Sequence, residues 1–354
     1  MWPRTDFLEL IGATHPIIQA PMSGFTTPAL AAAVCNAGAV GSIGCAGVPS
    51  ATVREQVIAL RQATNRPYIL NFFVHSHPHF DPEATARMRA RLATYFDEFG
   101  LGAVPEPKGL LPSFDEEQLD LVLELRPRIV SFHFGLPEPS AVRRLKQGDC
   151  LILSSATTVV KARWLAANGA DAIIAQGFEA GGHRGSFNDS PGAGMVGTMA
   201  LVPQIVDAVR IPVIAAGGIA DGRGLAAAFA LGASAAQLGT AFLACPETNV
   251  TPLHRARLRG ATDDGTELTP AFTGRPARAM RNRFAAEMAD SDPLEFPLQA
   301  SLLRPLWELP SEASRADFVP LWAGQAAPLI REMPAGELVE KLVRDAQSIL
   351  GESI

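Results

Sequence analysis

Apolar residues along this chain fall into short, nearly uninterrupted runs, separated by longer stretches where apolar and polar residues alternate at helical spacing. The short runs lie at 16–22, 39–44, 68–74, 129–135, 150–156, 171–177, 212–218 and 235–243. Being apolar at almost every position, they read as strands buried on both faces, as in a parallel sheet. The stretches at 28–36, 53–63, 82–99, 141–146, 159–168, 199–209 and 222–231 read as helices. Eight strands alternating with helices, joined by right-handed crossovers, predict an α/β fold of the TIM, (β/α)₈-barrel type. A doubly wound open sheet is the rival architecture, but it needs Gly-x-Gly-x-x-Gly after the first strand. Here that strand runs into Ala20-Pro21-Met22-Ser23-Gly24.

The alternation stops near residue 246. From there to 325 the chain is richer in Pro, Arg and Glu, with a loop at 272–278 leading into a helix at 280–289. This stretch reads as a smaller, mainly helical second domain inserted after the eighth strand, on the substrate side. Residues 1–245 then form the barrel, and 326–354, with an amphipathic helix at 338–350, return to it.

The net charge of -6 comes from mixed signs without a basic stripe, which argues against nucleic acid as a partner. No apolar run approaches the ~20 residues of a membrane helix. The four cysteines (Cys35, Cys45, Cys150, Cys245) form no Cys-x-x-Cys pair and read as free thiols in a reducing compartment, so a cytoplasmic setting is expected. A second copy of the chain, as a homodimer, stays open as a partner.

In a barrel the chemistry sits where strands end, and three of these ends are glycine-rich. Strand six leads into Gln176-Gly177-Phe178-Glu179-Ala180-Gly181-Gly182-His183-Arg184-Gly185, strand seven into Gly217-Gly218, and strand eight into Gln237-Leu238-Gly239-Thr240. Glycine lets backbone N–H groups approach an anion, and a helix N-terminus adds a favourable dipole. Gly217, Gly218, Gly239 and Thr240 therefore form a candidate phosphate clamp, with Gly181 and Gly182 beside it; tight βα turns alone are the plainer reading. Ala20, Pro21 and Met22 offer a flat backbone for a ring, and the amides of Asn71 and Gln176 offer donors and acceptors to a heterocycle. Together these groups suggest FMN.

His133 ends strand four, where its imidazole can take a proton or hold charge beside an anion; a merely hydrogen-bonded histidine is the alternative. His183 is a candidate for holding substrate or shaping the flavin pocket, or a solvated loop histidine. His75, His77 and His79 raise the question of a metal, but Pro78 interrupts them and no Cys or Asp cluster joins them, so no metal is expected. Glu179 and Arg223 read as surface residues and Asp221 as a helix N-cap.

The segments 16–44 (PIIQAPMSGFTTPALAAAVCNAGAVGSIG), 71–73 (NFF), 131–137 (SFHFGLP), 175–185 (AQGFEAGGHRG) and 215–243, with FTGRPA at 272–277 and LWAGQ at 321–325, resemble the nitronate monooxygenase family, formerly 2-nitropropane dioxygenases. The resemblance implies a TIM barrel with a smaller helical domain and non-covalent FMN. The implied activity is oxidation of alkyl nitronates, such as propionate 3-nitronate, with O₂ to a carbonyl compound and nitrite, through a flavin semiquinone. It also implies that His133 is the catalytic group and that FMN is held by Ala20, Pro21, Met22, Asn71, Gln176, Gly181, Gly218, Gln237, Leu238, Gly239 and Thr240. Some members line the pocket with several tyrosines and a lysine. This chain has only Tyr68 and Tyr95, so Trp307 or Gln299 is expected on that wall. Two alternatives stand beside this one: an NAD(P)H-dependent FMN reductase acting on a quinone or enoyl thioester, and a flavin-binding barrel that turns nothing over.

Overall fold

The computed structural model describes residues 2–109, 111–187 and 193–351. Its barrel is built from β1 (Ile17–Gln19), β2 (Gly41–Gly44), β3 (Tyr68–Phe73), β4 (Ile129–His133), β5 (Leu151–Ala156) and β6 (Ala172–Gln176). After a two-residue strand β7 (Gly182–His183) outside the barrel, β8 (Val213–Ala216) and β9 (Ala235–Leu238) complete the set of eight. These strands pair in parallel in the order β1-β9-β8-β6-β5-β4-β3-β2, and a parallel bridge between Ile18 and Val40 joins the two ends. The predicted (β/α)₈ barrel is the observed one.

Parity along each strand sorts the side chains. Ile18, Ile69, Ile129, Leu153, Ile174 and Ile214 fill the barrel interior. Their neighbours Ile17, Leu70, Val130, Ile152, Ile173 and Val213 face the surrounding helices. Each such burial contributes about 1.5–3 kcal/mol, so a strand apolar on both faces is favoured only where both faces are covered. The helix Asp6–Ile11, which the hydrophobic pattern did not reveal, puts Phe7 and Ile11 into the inner cluster.

Several strands stop short of the apolar run that announced them, for local reasons. Phe134 (φ 74°) and Gly135 (φ 122°) turn the chain after His133, Gly217 (φ 106°) and Gly218 (φ 73°) after Ala216. The run at 235–243 divides, since Thr240–Leu243 is helical. Between β3 and β4 the chain forms Pro82–Glu98 and also Glu116–Leu125, the second unexpected.

The C-terminal helix Ala335–Gly351 packs on Gly222–Ala230 and Pro28–Asn36, filling the eighth helical position. A Cβ on Gly222 would lie 2.3 Å from Asp345 Cβ, which fixes glycine at that crossing.

Residues 246–325 carry helices Pro252–Arg259, Arg283–Glu287, Leu298–Trp307 and Glu312–Phe318. They also carry β10 (Thr266–Thr269) and β11 (Ala277–Met280), which the hydrophobic pattern did not indicate. The expected helix 280–289 starts only at Arg283, because Met280 belongs to β11 and Asn282 caps the helix through Ala285 N–H. An apolar cluster of Phe272, Phe284, Leu302, Leu306 and Phe318 ties this region to Met88, Leu92 and Phe96 of Pro82–Glu98. β7, from the loop after β6, pairs antiparallel with β11, and β11 with β10. That small sheet fixes the glycine-rich loop over the barrel mouth. Among the described residues no helix is long and apolar enough to cross a membrane.

Candidate active site

The C-terminal ends of the barrel strands and the inner side of residues 246–325 enclose a cavity of about 730 Å³. Ala20, Pro21, Met22 and Asn71 line it on one side, with Gln237 from β9 and Gly239 and Thr240 just after it. Gln176, Gly181, Gly182, Gly217 and Gly218 line it from β6 and β8. Leu238 does not. Gln237 shares the inward parity of Ala216, its partner on β8, whereas Leu238 packs outward among the helices.

The loop after β6 is folded onto the site by its own polar groups. Gln176 Nε2 donates to the His183 carbonyl (2.9 Å), while its Oε1 accepts from Gly185 N–H (2.6 Å). The buried Arg184 donates to the Gly177 and Gly194 carbonyls. Two glycines here are required by close approach. A Cβ on Gly181 would lie 2.5 Å from Gly324 N, and one on Gly185 would lie 2.9 Å from His133 Cε1. Gly181 thus packs against the Leu321–Gln325 segment, and the contact accounts for it without an anion.

His133 is enclosed on both ring nitrogens. Nε2 lies 3.0 Å from the His183 carbonyl and Nδ1 3.0 Å from Ser155 Oγ. A carbonyl only accepts, so Nε2 carries the hydrogen and Nδ1 accepts from the Ser155 hydroxyl. Burial, offset by the bond to His183 and reinforced by Arg275 and Arg184, pushes the His133 pKa down to about 4. His183 differs. Its Nε2 lies 3.0 Å from Thr273 Oγ1, and among the described residues none hydrogen-bonds its Nδ1. The rings of Phe73, Phe134, Phe296 and Trp322 surround it at centroid distances of 5.4–5.9 Å. Burial first, then His133 and Arg275, push its pKa down to about 3. Both imidazoles are therefore neutral at pH 7, and both line the cavity.

The remaining expectations sort as follows. Asn71 Nδ2 donates to the Ser131 carbonyl (3.1 Å) and hydroxyl (2.9 Å). Glu179 is not a free surface carboxylate: it is half-buried and accepts from the Thr198 N–H and hydroxyl, capping Thr198–Ala208. Asp221 caps Gly222–Ala230 as expected and pairs with the exposed Arg223. Gln299 is fully buried on Leu294 N–H and the Ala271 carbonyl, away from the cavity, while Trp307 lines it. Tyr95 packs against Phe284 and Phe318, and Tyr68 bonds Arg61, so neither tyrosine reaches the site. His75 meets the edge of Phe296 while His77 and His79 are exposed; among the described residues no cluster is placed to hold a metal ion.

Sequence reasoning gave no role to Ser155, Thr273 or Arg275. Ser155 was accessible by parity, sharing the inward face with Leu153 at the end of β5. Arg275, stacked 4.2 Å from the Phe134 ring centroid, gave no signal of its own.

Two features of this cavity test the fit of FMN. Gln237 Oε1 is buried at the barrel mouth without a partner among the described residues. Gly217 and Gly218 hold positive φ at the rim, close to Gly239 and Thr240, whose Oγ1 already accepts from Gly324 N–H (2.9 Å) but keeps its own hydrogen to give. An unpaired amide beside a ring-sized space and backbone donors at its rim fit a flavin phosphate ester.

The family model described as nitronate monooxygenase matches residues 4–345. The chain belongs to the nitronate monooxygenase family. A nitronate monooxygenase of Paraburkholderia phytofirmans is 43% identical over 97% of this chain and 95% of its own. The solved structure of a nitroalkane oxidase from Streptomyces ansochromogenes superposes with a TM-score of 0.89 at 38% identity, covering 98% of this chain and 99% of that one. FabK from Thermotoga maritima is similar at a TM-score of 0.75 and 31% identity, over 98% of this chain and 96% of its own. Nitronate monooxygenases are oxidoreductases, and the match spans both the barrel and residues 246–325. The shared architecture therefore includes the segment that supplies Thr273, Arg275 and Trp322.

Proposed function

We propose that this chain is an FMN-dependent enzyme that oxidises alkyl nitronates with O₂ to a carbonyl compound and nitrite. The observation that carries the reading is His183: a neutral imidazole on the cavity wall, bonded to protein through Nε2 and open at Nδ1. Such a group can take a proton from a neutral nitroalkane and then hold the nitronate by the N–H so formed. We infer from these hydrogen bonds that the two histidines exchange the roles expected from sequence. His133, with both nitrogens committed to Ser155 and His183, supports the loop from behind, and His183 meets the substrate.

Gln237, Asn71 and Gln176 would hold the flavin ring, with Gly217, Gly218, Gly239 and Thr240 at its phosphate. When bound, FMN supplies the acceptor for the electrons of the nitronate and their donor to O₂. The chain's own residues do the rest. The cavity-lining rings of Phe73, Phe296 and Trp322 would keep water from the reacting carbon, and Arg275 biases the field toward anionic species. Gly218→Val forces a branched side chain into a φ of 73° with Cβ 3.4 Å from Glu179 Cβ. It is expected to lower the flavin-to-protein absorbance ratio several-fold with the circular dichroism spectrum unchanged; full flavin content would remove the phosphate clamp from the reading.

The deciding experiment mixes the purified yellow protein anaerobically with an alkyl nitronate and, separately, with NADH or NADPH. Flavin reduction by the nitronate alone, with nitrite released on admitting air, is expected. Rapid bleaching by a reduced nicotinamide, with nitronate inert, would instead support the reductase.

A further inference from the structure

Thr273 lies in the turn joining β10 to β11, about ninety residues from the loop that carries His183. It is buried, and its position is rigid. The turn is closed by Gly274 N–H on the Pro270 carbonyl (2.8 Å), and a Cβ on Gly274 (φ 86°) would lie 2.0 Å from the Leu294 carbonyl. Three groups converge on its one hydroxyl. The Arg275 carbonyl lies at 3.3 Å, the Arg275 N–H at 3.4 Å and His183 Nε2 at 3.0 Å. A carbonyl can only accept and a backbone N–H can only donate. All three contacts are hydrogen bonds at once only when the hydroxyl hydrogen goes to Arg275 O, leaving oxygen lone pairs toward Arg275 N–H and His183 Nε2. Nε2 must then carry the ring hydrogen.

We propose that Thr273 is a positioning residue that holds His183 as the Nε2–H tautomer, so that the lone pair of Nδ1 faces the cavity. The inverted tautomer would present an N–H to the substrate, and its Nε2 lone pair could be met only by turning the Thr273 hydroxyl hydrogen away from the Arg275 carbonyl. It cannot accept a proton at the cavity wall. The rest of His183 is equally fixed, because its backbone carbonyl accepts from both Gln176 Nε2 and His133 Nε2. Thr273 therefore sets which nitrogen is basic, while Gln176 and His133 set where the residue stands. The part played in turnover rests on the proposed reaction above; the tautomer does not.

The test uses the FMN-loaded protein with Thr273→Val and Thr273→Ser, and two readouts. Imidazole ¹⁵N spectra of histidine-labelled protein, with the His183 signal assigned from its loss in His183→Asn, report the tautomer. Steady-state kinetics with a neutral nitroalkane report its consequence. Wild type is expected to show protonated Nε2 and unprotonated Nδ1. Thr273→Val should lose that preference and lower kcat by about 10- to 100-fold, with flavin content and KM little changed. Thr273→Ser, which keeps the hydroxyl, should retain both the tautomer and most of kcat. A wild-type His183 protonated on Nδ1 overturns the inference, as does an unchanged tautomer or unchanged kcat in Thr273→Val. If Thr273→Val does not fold, the wild-type and Thr273→Ser spectra still decide it. A tautomer as expected in a protein inert toward nitronates and nitroalkanes would sink the proposed reaction and leave the tautomer assignment standing.

Discussion

His183→Ala is expected to lower kcat for a neutral nitroalkane by about 10²- to 10⁴-fold, the range for removing a positioned acid–base group. Flavin content should stay near wild type, because the loop carrying His183 is held by the Gln176 amide and Arg184 and not by the imidazole itself. His133→Ala removes one of the two donors to the His183 carbonyl and leaves Gln176 in place, so it should cost only about tenfold, a positioning effect. The comparison is what matters. Both residues read from sequence as histidines at a barrel mouth, with His133 the better placed on a strand end. Only the hydrogen bonds separate them. If His133→Ala turns out the more damaging variant, with its flavin intact, the assignment reverts to the one read from sequence. The low pKa of His183, about 3, makes a further point. In the free enzyme this group stays neutral down to well below pH 5, so kcat/KM for a neutral nitroalkane should show no acid limb from it above that pH.

The barrel was legible because its strands are apolar on both faces, a pattern that only a sheet covered on both sides can satisfy. Ile17 and Ile18, or Ile173 and Ile174, each send one side chain inward and one outward. The same parity rule, carried two residues further, separates Gln237 in the cavity from Leu238 in the helical layer. Grouping 237–240 as one binding segment overlooked it. The small sheet over the mouth was not legible. β7 is two residues long and its partner β11 lies more than ninety residues away, so neither carries a period to read. Glycines were visible but their reasons were not. Gly181 answers to Gly324 and Gly185 to His133, contacts made by distant segments, whereas Gly217 and Gly218 hold positive φ in the turn after β8. The roles of the histidines lay beyond sequence for the same reason. Ser155 and Thr273, which decide the ring nitrogens, are 22 and 90 residues from the rings they touch.

The buried histidines also set how the fold responds to acid. His133 and His254 have pKa values near 4 and His183 near 3, in each case chiefly because burial penalises the charged ring. In the unfolded chain all three return to about 6.5. Between pH 6.5 and about 4 the unfolded state therefore binds protons that the folded state refuses, and stability falls as pH falls. Each group contributes a slope of up to about 1.4 kcal/mol per pH unit in that window. His133 and His183 adjoin, so their joint contribution is less than twice one, yet a total loss of several kcal/mol by pH 5 is a large share of the ~5–15 kcal/mol that holds a domain folded. The carboxylates held low by ion pairs and N–H groups, Asp221 and Glu98 among them, act in the same direction but only once pH falls toward their own range, so the two windows are separable. Thermal unfolding of the holoenzyme from pH 7.5 to 4.5 should show Tm dropping steadily from just below pH 6.5. His254 is bonded to the Trp322 carbonyl and lies off the cavity lining. Its replacement by Gln should shallow that slope without altering the kinetic pH profile. A Tm flat between pH 7 and 5 would mean that these rings take up protons in the folded protein, and with that the neutral His183 on which the reaction depends would be lost.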